Sequence, residues 1–177
     1  IGNDHVVIAD AKRGDIGNTG LHYANAFFNH FNCDAITVSP YMGEESIEPF
    51  ISTPSKGAYV LCRTSNKSST FLQEDIYSKV ISLCEALNSQ QNIGLVVGAT
   101  NDDALIKVRN STDLPFLIPG IGEQGGDLQS VLRINEKNMD TTLINVSRGI
   151  IFSGNKDHDS IRNSAKQYLN QLRGLNG

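Results

Sequence analysis

Three charged side chains that could do acid–base chemistry stand close together near the start of the sequence: Asp10, Lys12 and Asp15. They follow a short apolar run, residues 5–9, which predicts a buried parallel strand that ends at Asp10. Side chains alternate along a strand, so Asp10 and Lys12 are expected to point the same way. The carboxyl end of such a strand is where α/β folds place catalytic groups. For this stretch alone, the alternative is a solvated loop with an ion pair.

A second candidate site is the glycine-rich segment 120–126, in which four of seven residues are glycine. Glycine frees the backbone to turn its N–H groups toward an anion, and a following helix adds its dipole. Gln124 can donate an amide hydrogen, and Arg148 has a guanidinium fork that suits phosphate. The pattern predicts a phosphate site, with a tight turn and a surface arginine as the alternative. It lacks the GK[ST] of a P-loop, so ATP chemistry is not expected.

Short apolar runs alternate with helical patterns along the whole chain. Asn18 and Asn101 are expected to cap two of the helices, and the last helix is expected to bury a stripe formed by Ile161, Ala165, Tyr168, Leu169 and Leu172. The predicted strands cover residues 5–9, 35–38, 58–62, 93–97, 116–118 and 142–146. The predicted helices cover about 18–31, 44–51, 75–87, 101–108, 128–133 and 159–172.

Strand and helix thus repeat about six times with short connections, which predicts a parallel sheet with helices outside it. A doubly wound sheet is one possibility. Phosphate loops after the last two strands favour instead an α/β fold of the (β/α)8 TIM-barrel type, which needs eight units. We therefore expect residues 1–177 to form a single domain. It would be the carboxy-terminal two-thirds of a barrel, from about strand 3 to strand 8.

Composition excludes several classes of protein. The 177 residues carry a net charge of −4, which provides no basic field for nucleic acid. Cys33, Cys62 and Cys84 are isolated, which argues for a reducing, cytoplasmic location and against a zinc site. No apolar run approaches the roughly 20 residues of a membrane span, and no signal peptide is recognisable. The four histidines are scattered, so no metal site is predicted.

Five segments in one order resemble the orotidine 5′-phosphate decarboxylase family, whose members catalyse the last step of de novo UMP synthesis. They are DAKRGDI (10–16), TVSPY (37–41), RTSN (63–66), LIPGIGEQGGD (117–127) and NVSRGI (145–150). The likeness extends from Ile1 to about Leu172 and is closest to the second bacterial-type subfamily. The first segment alone is shared with sugar-phosphate decarboxylases of the same superfamily.

The resemblance implies a role for each charged residue of the first segment. Asp10 would lie against the substrate carboxylate, and Lys12 would protonate C6 as carbon dioxide leaves. Asp15, Ile16 and Thr19 would reach across a homodimer interface into the partner's active site. A decarboxylation without an electron sink leaves a carbanion, which a fixed ammonium group can both stabilise and protonate. No metal or organic cofactor is implied.

The resemblance also implies the residues that hold the nucleotide. Thr64 and Ser65 would contact the pyrimidine edge, Pro119 would lie near the base, and Gln124 and Arg148 would hold the phosphate. The family also uses a lysine and an aspartate from its first two strands, which this sequence does not contain. Two alternatives stay open: a Mg²⁺-dependent keto-sugar-phosphate decarboxylase of the same superfamily, and a non-catalytic protein that binds a phosphorylated ligand.

Overall fold

A computed structural model describes residues 5–122 and 125–174 of the protein. Their strands form one sheet in which neighbours in sequence are neighbours in space and every pair is parallel. This arrangement is typical of successive βα units in a barrel, and it confirms the expected parallel fold. The six strands are β1 (Ile8–Arg13), β2 (Ala35–Val38), β3 (Gly57–Arg63), β4 (Ile93–Val97), β5 (Phe116–Pro119) and β6 (Thr142–Asn145).

Helices follow the strands and cover the outside of the sheet. A π-helical turn, Ala26–His30, extends the first helix, and short 3-10 turns cover Glu44–Ser46, Lys67–Ser69, Asn88–Gln90 and Glu136–Thr141. No helix in the described ranges is both long enough and apolar enough to cross a membrane. The helices are α1 (Gly17–Asn25), α2 (Glu48–Ile51), α3 (Thr70–Leu87), α4 (Asp102–Arg109), α5 (Leu128–Ile134), α6 (Arg148–Ile151) and α7 (His158–Leu172).

The core lies between the sheet and its helices. Strands β2 and β4 are buried along their whole length because both faces are covered, and both are continuous runs of mostly β-branched residues. Strands β1 and β6 are more exposed, and in the described part of the chain each pairs with one strand only. The sheet is therefore a partial barrel, open between β1 and β6. The largest fully buried side chains include Phe50, Phe116, Ile36, Ile47, Leu95 and Leu105.

The bounds of β2 and β4 are those that the sequence predicted, but the end of the first strand was predicted wrongly. Strand β1 continues past Asp10 to Arg13, because a bulge lets it go on pairing with β2. The prediction that Asn18 caps the first helix was also wrong. Helix α1 begins at Gly17 with Ile16 in the cap position, so Asn18 lies inside the helix.

The closing helix is less buried than its sequence pattern predicted. Leu169 is 41% exposed, and the other four residues of the expected stripe are half-buried. Helix α7 packs beside the segment that follows β6, where the Ser164 hydroxyl donates to the carbonyl of Gly149. Since β6 is an edge of the described sheet, one side of α7 lacks a full set of neighbours. Helix α6 was not predicted, and α3 begins at Thr70, earlier than expected.

The cap of α4 provides a test of the fold. Asn101 accepts a hydrogen bond from the backbone N–H of Ala104 at 3.0 Å, as predicted for an N-cap, and the helix then buries Leu105 completely. Asn101→Ala is expected to lower the free energy of unfolding by ~1 kcal/mol, because a helical N–H loses its partner. Asn101→Asp keeps the acceptor and should retain most of the stability.

Denaturant unfolding followed by circular dichroism measures this difference. Asn110→Ala, at the exposed opposite end of the same helix, is the matched control and should change stability by much less. Equal losses for the two alanine variants would contradict the capping role.

Candidate active site

A cavity of about 330 Å³ opens at the carboxyl ends of the strands. Because parallel strands end at one edge of the sheet, residues that are distant in sequence meet there. Six of the predicted site residues line it: Asp10, Lys12, Thr64, Ser65, Pro119 and Arg148. The cavity wall is completed by Ile8, Thr37, Leu61, Val96, Leu117, Gly120, Ile121, Asn145 and Ser147.

Asp10 and Lys12 form an ion pair at this cavity. The distance from Lys12 Nζ to Asp10 Oδ1 is 2.5 Å, and the two side chains remain 51% and 69% exposed, respectively. The Thr37 hydroxyl donates to the same carboxylate oxygen at 3.0 Å. Partial burial acts to raise the pKa of Asp10, but the hydrogen bonds from Lys12 and Thr37 and the charge of Lys12 outweigh it. The pKa of Asp10 therefore lies below its ordinary value, and its carboxylate is ionised at neutral pH.

The segment after β3 is tied down from two sides. The side-chain oxygen of Gln73, on α3, accepts the backbone N–H of Thr64 at 2.8 Å, and its amide donates to the Thr64 hydroxyl at 2.9 Å. The carbonyl of Ser65 accepts the Thr100 hydroxyl at 3.0 Å. A side chain at Gly98 would come within 2.7 Å of the Ser65 nitrogen, so only glycine allows this close approach. These contacts hold Thr64 and Ser65 at the cavity wall.

The glycine-rich loop folds partly on itself. Gly122 and Gly125 have positive φ angles of 80° and 93°, a conformation that glycine adopts without strain. The N–H groups of Gly122, Gly125 and Gly126 donate to carbonyls within the loop. They are therefore occupied in this arrangement, contrary to the expectation that the glycines would turn them toward an anion. Gln124, a predicted phosphate ligand, lies outside the described residues.

Arg148 supplies the positive charge at this end of the cavity. It is the first residue of α6 and lines the cavity wall, three residues after the end of β6 at Asn145. A guanidinium group there can form two parallel hydrogen bonds to an anion.

Three predicted residues do not line the cavity of their own chain. Asp15 is half-buried and accepts the backbone N–H of Ile16 at 2.9 Å. Ile16 is 54% exposed, and Thr19 is exposed on α1. Their part in a partner's site stays a prediction.

The sequence predicted no role for two polar residues of the cavity wall, Thr37 and Asn145. Thr37 lies in the buried strand β2 among apolar residues. A polar side chain in such a strand could have identified it. Asn145 ends β6 and accepts the Ser147 hydroxyl at 3.1 Å. Its position at the carboxyl end of a strand could have identified it. No group of three or more His, Cys, Asp or Glu residues that could hold a metal ion occurs in ranges 5–122 and 125–174.

Comparison with known proteins yields consistent matches. A family model described as "Orotidine 5′-phosphate decarboxylase / HUMPS family" matches residues 2–160. The chain is 46% identical over 160 residues to orotidine 5′-phosphate decarboxylase of Dehalococcoides mccartyi strain CBDB1, covering 84% of the chain. It superposes on Leishmania donovani OMP decarboxylase with a TM-score of 0.89 and 39% identity over 99% of the chain. For UMP synthase from the same organism the TM-score is 0.86 and the identity 40%, again over 99% of the chain.

These proteins are longer than the present chain. The match spans 59% of the Dehalococcoides protein, 70% of the Leishmania decarboxylase and 40% of the Leishmania UMP synthase. The match to a solved structure of the Leishmania decarboxylase confirms a partial TIM barrel as the fold.

The ion pair of Asp10 and Lys12 predicts that removal of the lysine charge changes the pKa of Asp10. In Lys12→Met the carboxylate loses one hydrogen bond and a neighbouring positive charge while it stays partly buried, so the pKa of Asp10 should rise. Carbon-13 NMR of labelled aspartate side chains measures this pKa directly.

Asp157 is the internal control for this titration. Its pKa is lowered mainly by the backbone N–H of Ser160, and it does not line the cavity. It should titrate identically in the two proteins. An unchanged pKa of Asp10 in Lys12→Met would show that the ion pair is not formed in solution.

Proposed function

The chain belongs to the orotidine 5′-phosphate decarboxylase / HUMPS family, and we propose that it carries the reacting groups of an enzyme that converts orotidine 5′-phosphate to UMP. The observation that carries this proposal is the ion pair of Lys12 and Asp10 at the cavity, with Nζ and Oδ1 2.5 Å apart. It places a fixed ammonium group at the carboxyl end of a barrel strand, where this reaction needs one.

Loss of carbon dioxide leaves an electron pair on C6 of the pyrimidine. Lys12 is assigned to stabilise that charge and then to deliver a proton to the carbon. Asp10, with its lowered pKa, stays ionised beside it and holds the ammonium group in place. The same carboxylate would face the carboxylate of the substrate, a like-charge contact that is relieved as carbon dioxide departs.

The rest of the cavity is assigned to binding. Thr64 and Ser65 would contact the pyrimidine edge, Pro119 would lie near the base, and Arg148 would hold the phosphate. Gln124 keeps its assignment as a second phosphate ligand. Binding energy from the phosphate, remote from C6, can then be used to position the base at Lys12. A cavity of about 330 Å³ falls within the range of small-molecule sites.

A homodimer is part of the proposal. Asp15, Ile16 and Thr19 follow the reacting pair directly in sequence but do not line its cavity. Ile16 and Thr19 are exposed, so they are accessible to a second copy of the chain. We assign Asp15 to the catalytic group of the partner's site and Ile16 and Thr19 to its substrate contacts.

Two further strands are needed to close the barrel. Within the described residues β1 and β6 each have one neighbour, whereas a closed barrel leaves no strand edge unpaired. We assign the two strands to the remainder of a longer polypeptide, which would also bring the lysine and the aspartate that the family resemblance implies. The free, buried cysteines Cys33, Cys62 and Cys84 fit a cytoplasmic enzyme.

The first test is turnover of orotidine 5′-phosphate by the full-length protein in the presence of EDTA. Loss of substrate and release of carbon dioxide are measured. We expect activity that the chelator does not change. Activity toward a keto-sugar phosphate that requires Mg²⁺, with none toward orotidine 5′-phosphate, would favour the related barrel enzyme. Binding of UMP by a folded protein that turns over neither substrate would favour the non-catalytic alternative.

Replacement of the proton donor separates chemistry from binding. Lys12→Ala is expected to lower kcat by ~10³-fold or more, because both the stabilising charge and the proton source are lost. Calorimetry should show UMP affinity within about threefold of the wild type, since the product carries no charge at C6. Lys166→Ala, an exposed lysine on α7, is the control and should leave both quantities unchanged. Parallel losses of turnover and UMP affinity would contradict the proton-donor role.

The shared active site makes a separate prediction. Lys12→Ala and Asp15→Ala homodimers should each be nearly inactive, but a mixture should regain activity. A mixed dimer has one site with both wild-type residues and one site with neither, so random exchange restores about a quarter of the sites. Activity of a mixture after subunit exchange, compared with each variant alone, measures this. A mixture no more active than its components would place Asp15 in its own chain's site or outside catalysis.

A further inference from the structure

The reacting pair stands on an irregular part of β1. Ala9 pairs with Ile36, and Arg13 pairs with Val38. Between these two pairs β1 advances by four residues while β2 advances by two. Three residues, 10–12, therefore lie opposite one residue of β2, Thr37. Such a bulge interrupts the ladder and leaves backbone groups that need other partners.

Thr37 satisfies one of these groups with its side chain. Its hydroxyl oxygen accepts the backbone N–H of Lys12 at 2.9 Å, and the hydroxyl donates to Asp10 Oδ1 at 3.0 Å. A hydroxyl has one hydrogen to donate and lone pairs to accept, so it can do both at once. Thr37 is only 1% exposed, and its threonine side chain is fixed within the most buried part of the sheet. One rigid group thus touches both members of the reacting pair.

Arg13 holds the other side of the bulge. Its guanidinium donates to the carbonyl of Ala11 at 2.8 Å and lies over the rings of Tyr23 and Phe27, 5.5 and 5.9 Å from their centroids. Lys12 itself has a φ of +50°, a left-handed conformation that is strained for a residue with a side chain. Such strain persists where the surroundings determine the backbone. Here the contacts of Thr37 and Arg13 do so.

We propose that Thr37 is a positioning residue for the decarboxylation: its hydroxyl fixes the backbone of Lys12 and the carboxylate of Asp10 in one arrangement. The proposal rests on the proposed function for the reaction that it serves. Thr37 acts through Asp10 and Lys12 and itself transfers no proton. Without the hydroxyl, the Lys12 N–H loses its partner and Asp10 Oδ1 loses one of its two donors, so the ammonium group is no longer held at one point in the cavity. Displacement of a catalytic group by about 1 Å can cost 10²-fold in rate.

The test compares Thr37→Val, which keeps the branched shape but removes the hydroxyl, with Thr37→Ser, which keeps the hydroxyl. In the full-length protein we expect Thr37→Val to lower kcat by about 10- to 100-fold with KM and UMP affinity within about threefold. Thr37→Ser should recover most of the loss. Thr142→Val is the matched control, because Thr142 is also buried and donates to a carbonyl, that of Asn138, but at the opposite end of its strand. It should leave kcat unchanged.

A second measurement does not depend on turnover. The charged group that faces Asp10 is Lys12, on its own strand, and the polar group that faces it from β2 is Thr37. Loss of the hydroxyl removes a donor to the carboxylate, so carbon-13 NMR should show the pKa of Asp10 raised in Thr37→Val and restored in Thr37→Ser. Thr37→Ala gives the same reading if the valine variant does not fold.

The outcomes separate the two proposals. Absence of decarboxylase activity in the full-length wild type would overturn the proposed function. The titration of Asp10 would still decide whether Thr37 positions Asp10 and Lys12. An unchanged kcat and an unchanged pKa of Asp10 in a folded Thr37→Val protein would overturn the positioning role. Equal losses of kcat in Thr37→Val and Thr142→Val would assign the effect to general loss of packing and overturn it as well.

Discussion

The structure depends on the bulge at the carboxyl end of β1. Two residues separated by one position in a regular strand lie about 6.6 Å apart along it. In this chain the register shifts at residues 10–12 and Lys12 takes a left-handed conformation. Lys12 Nζ lies 2.5 Å from Asp10 Oδ1 at the cavity. Across the bulge β1 keeps its pairing with β2 as far as Arg13, and both charged side chains line the same cavity.

An irregular segment of this kind needs a rigid neighbour. Strand β2 is buried along its whole length, and its residues pair in regular register with β3. The hydroxyl of Thr37 is therefore held by the most regular part of the sheet and presented to its least regular part. On the other side Arg13 lies against aromatic rings of α1 and of the π-helical turn that follows it. The buried, regularly paired strand β2 thus fixes the position of the bulge in β1.

The regular parts of the fold were predictable from the sequence and the irregular parts were not. Strands β2 and β4 are short runs of mostly β-branched residues buried on both faces, so pattern alone located their ends. The end of β1 was missed because a side-chain hydroxyl, that of Thr37, bridges the bulge before backbone pairing resumes at Arg13. Asn101 was identified as a cap because it precedes an amphipathic run, whereas the turn at Asp15 and Gly17 starts α1 without a side-chain cap. The backbone hydrogen bonds within the glycine-rich loop could not be predicted either, because they depend on backbone angles that the residue types do not fix.

The proposed site extends across the described sheet from one edge strand to the other. The reacting pair stands on β1 and Arg148 follows β6, so the two ends of the proposed site lie on the two strands that border the opening of the partial barrel. Strands β2 to β5 join them through successive parallel pairings. The two strands that close the barrel would join them a second time, directly across the opening. In a closed barrel, strand number and tilt fix the diameter. The distance from Lys12, the proposed proton donor, to Arg148, the proposed phosphate ligand, is then a property of the whole barrel. Loosening of either edge strand would therefore alter the proposed chemistry before it altered the proposed contacts with the base, which lie at the carboxyl ends of β3 and β5.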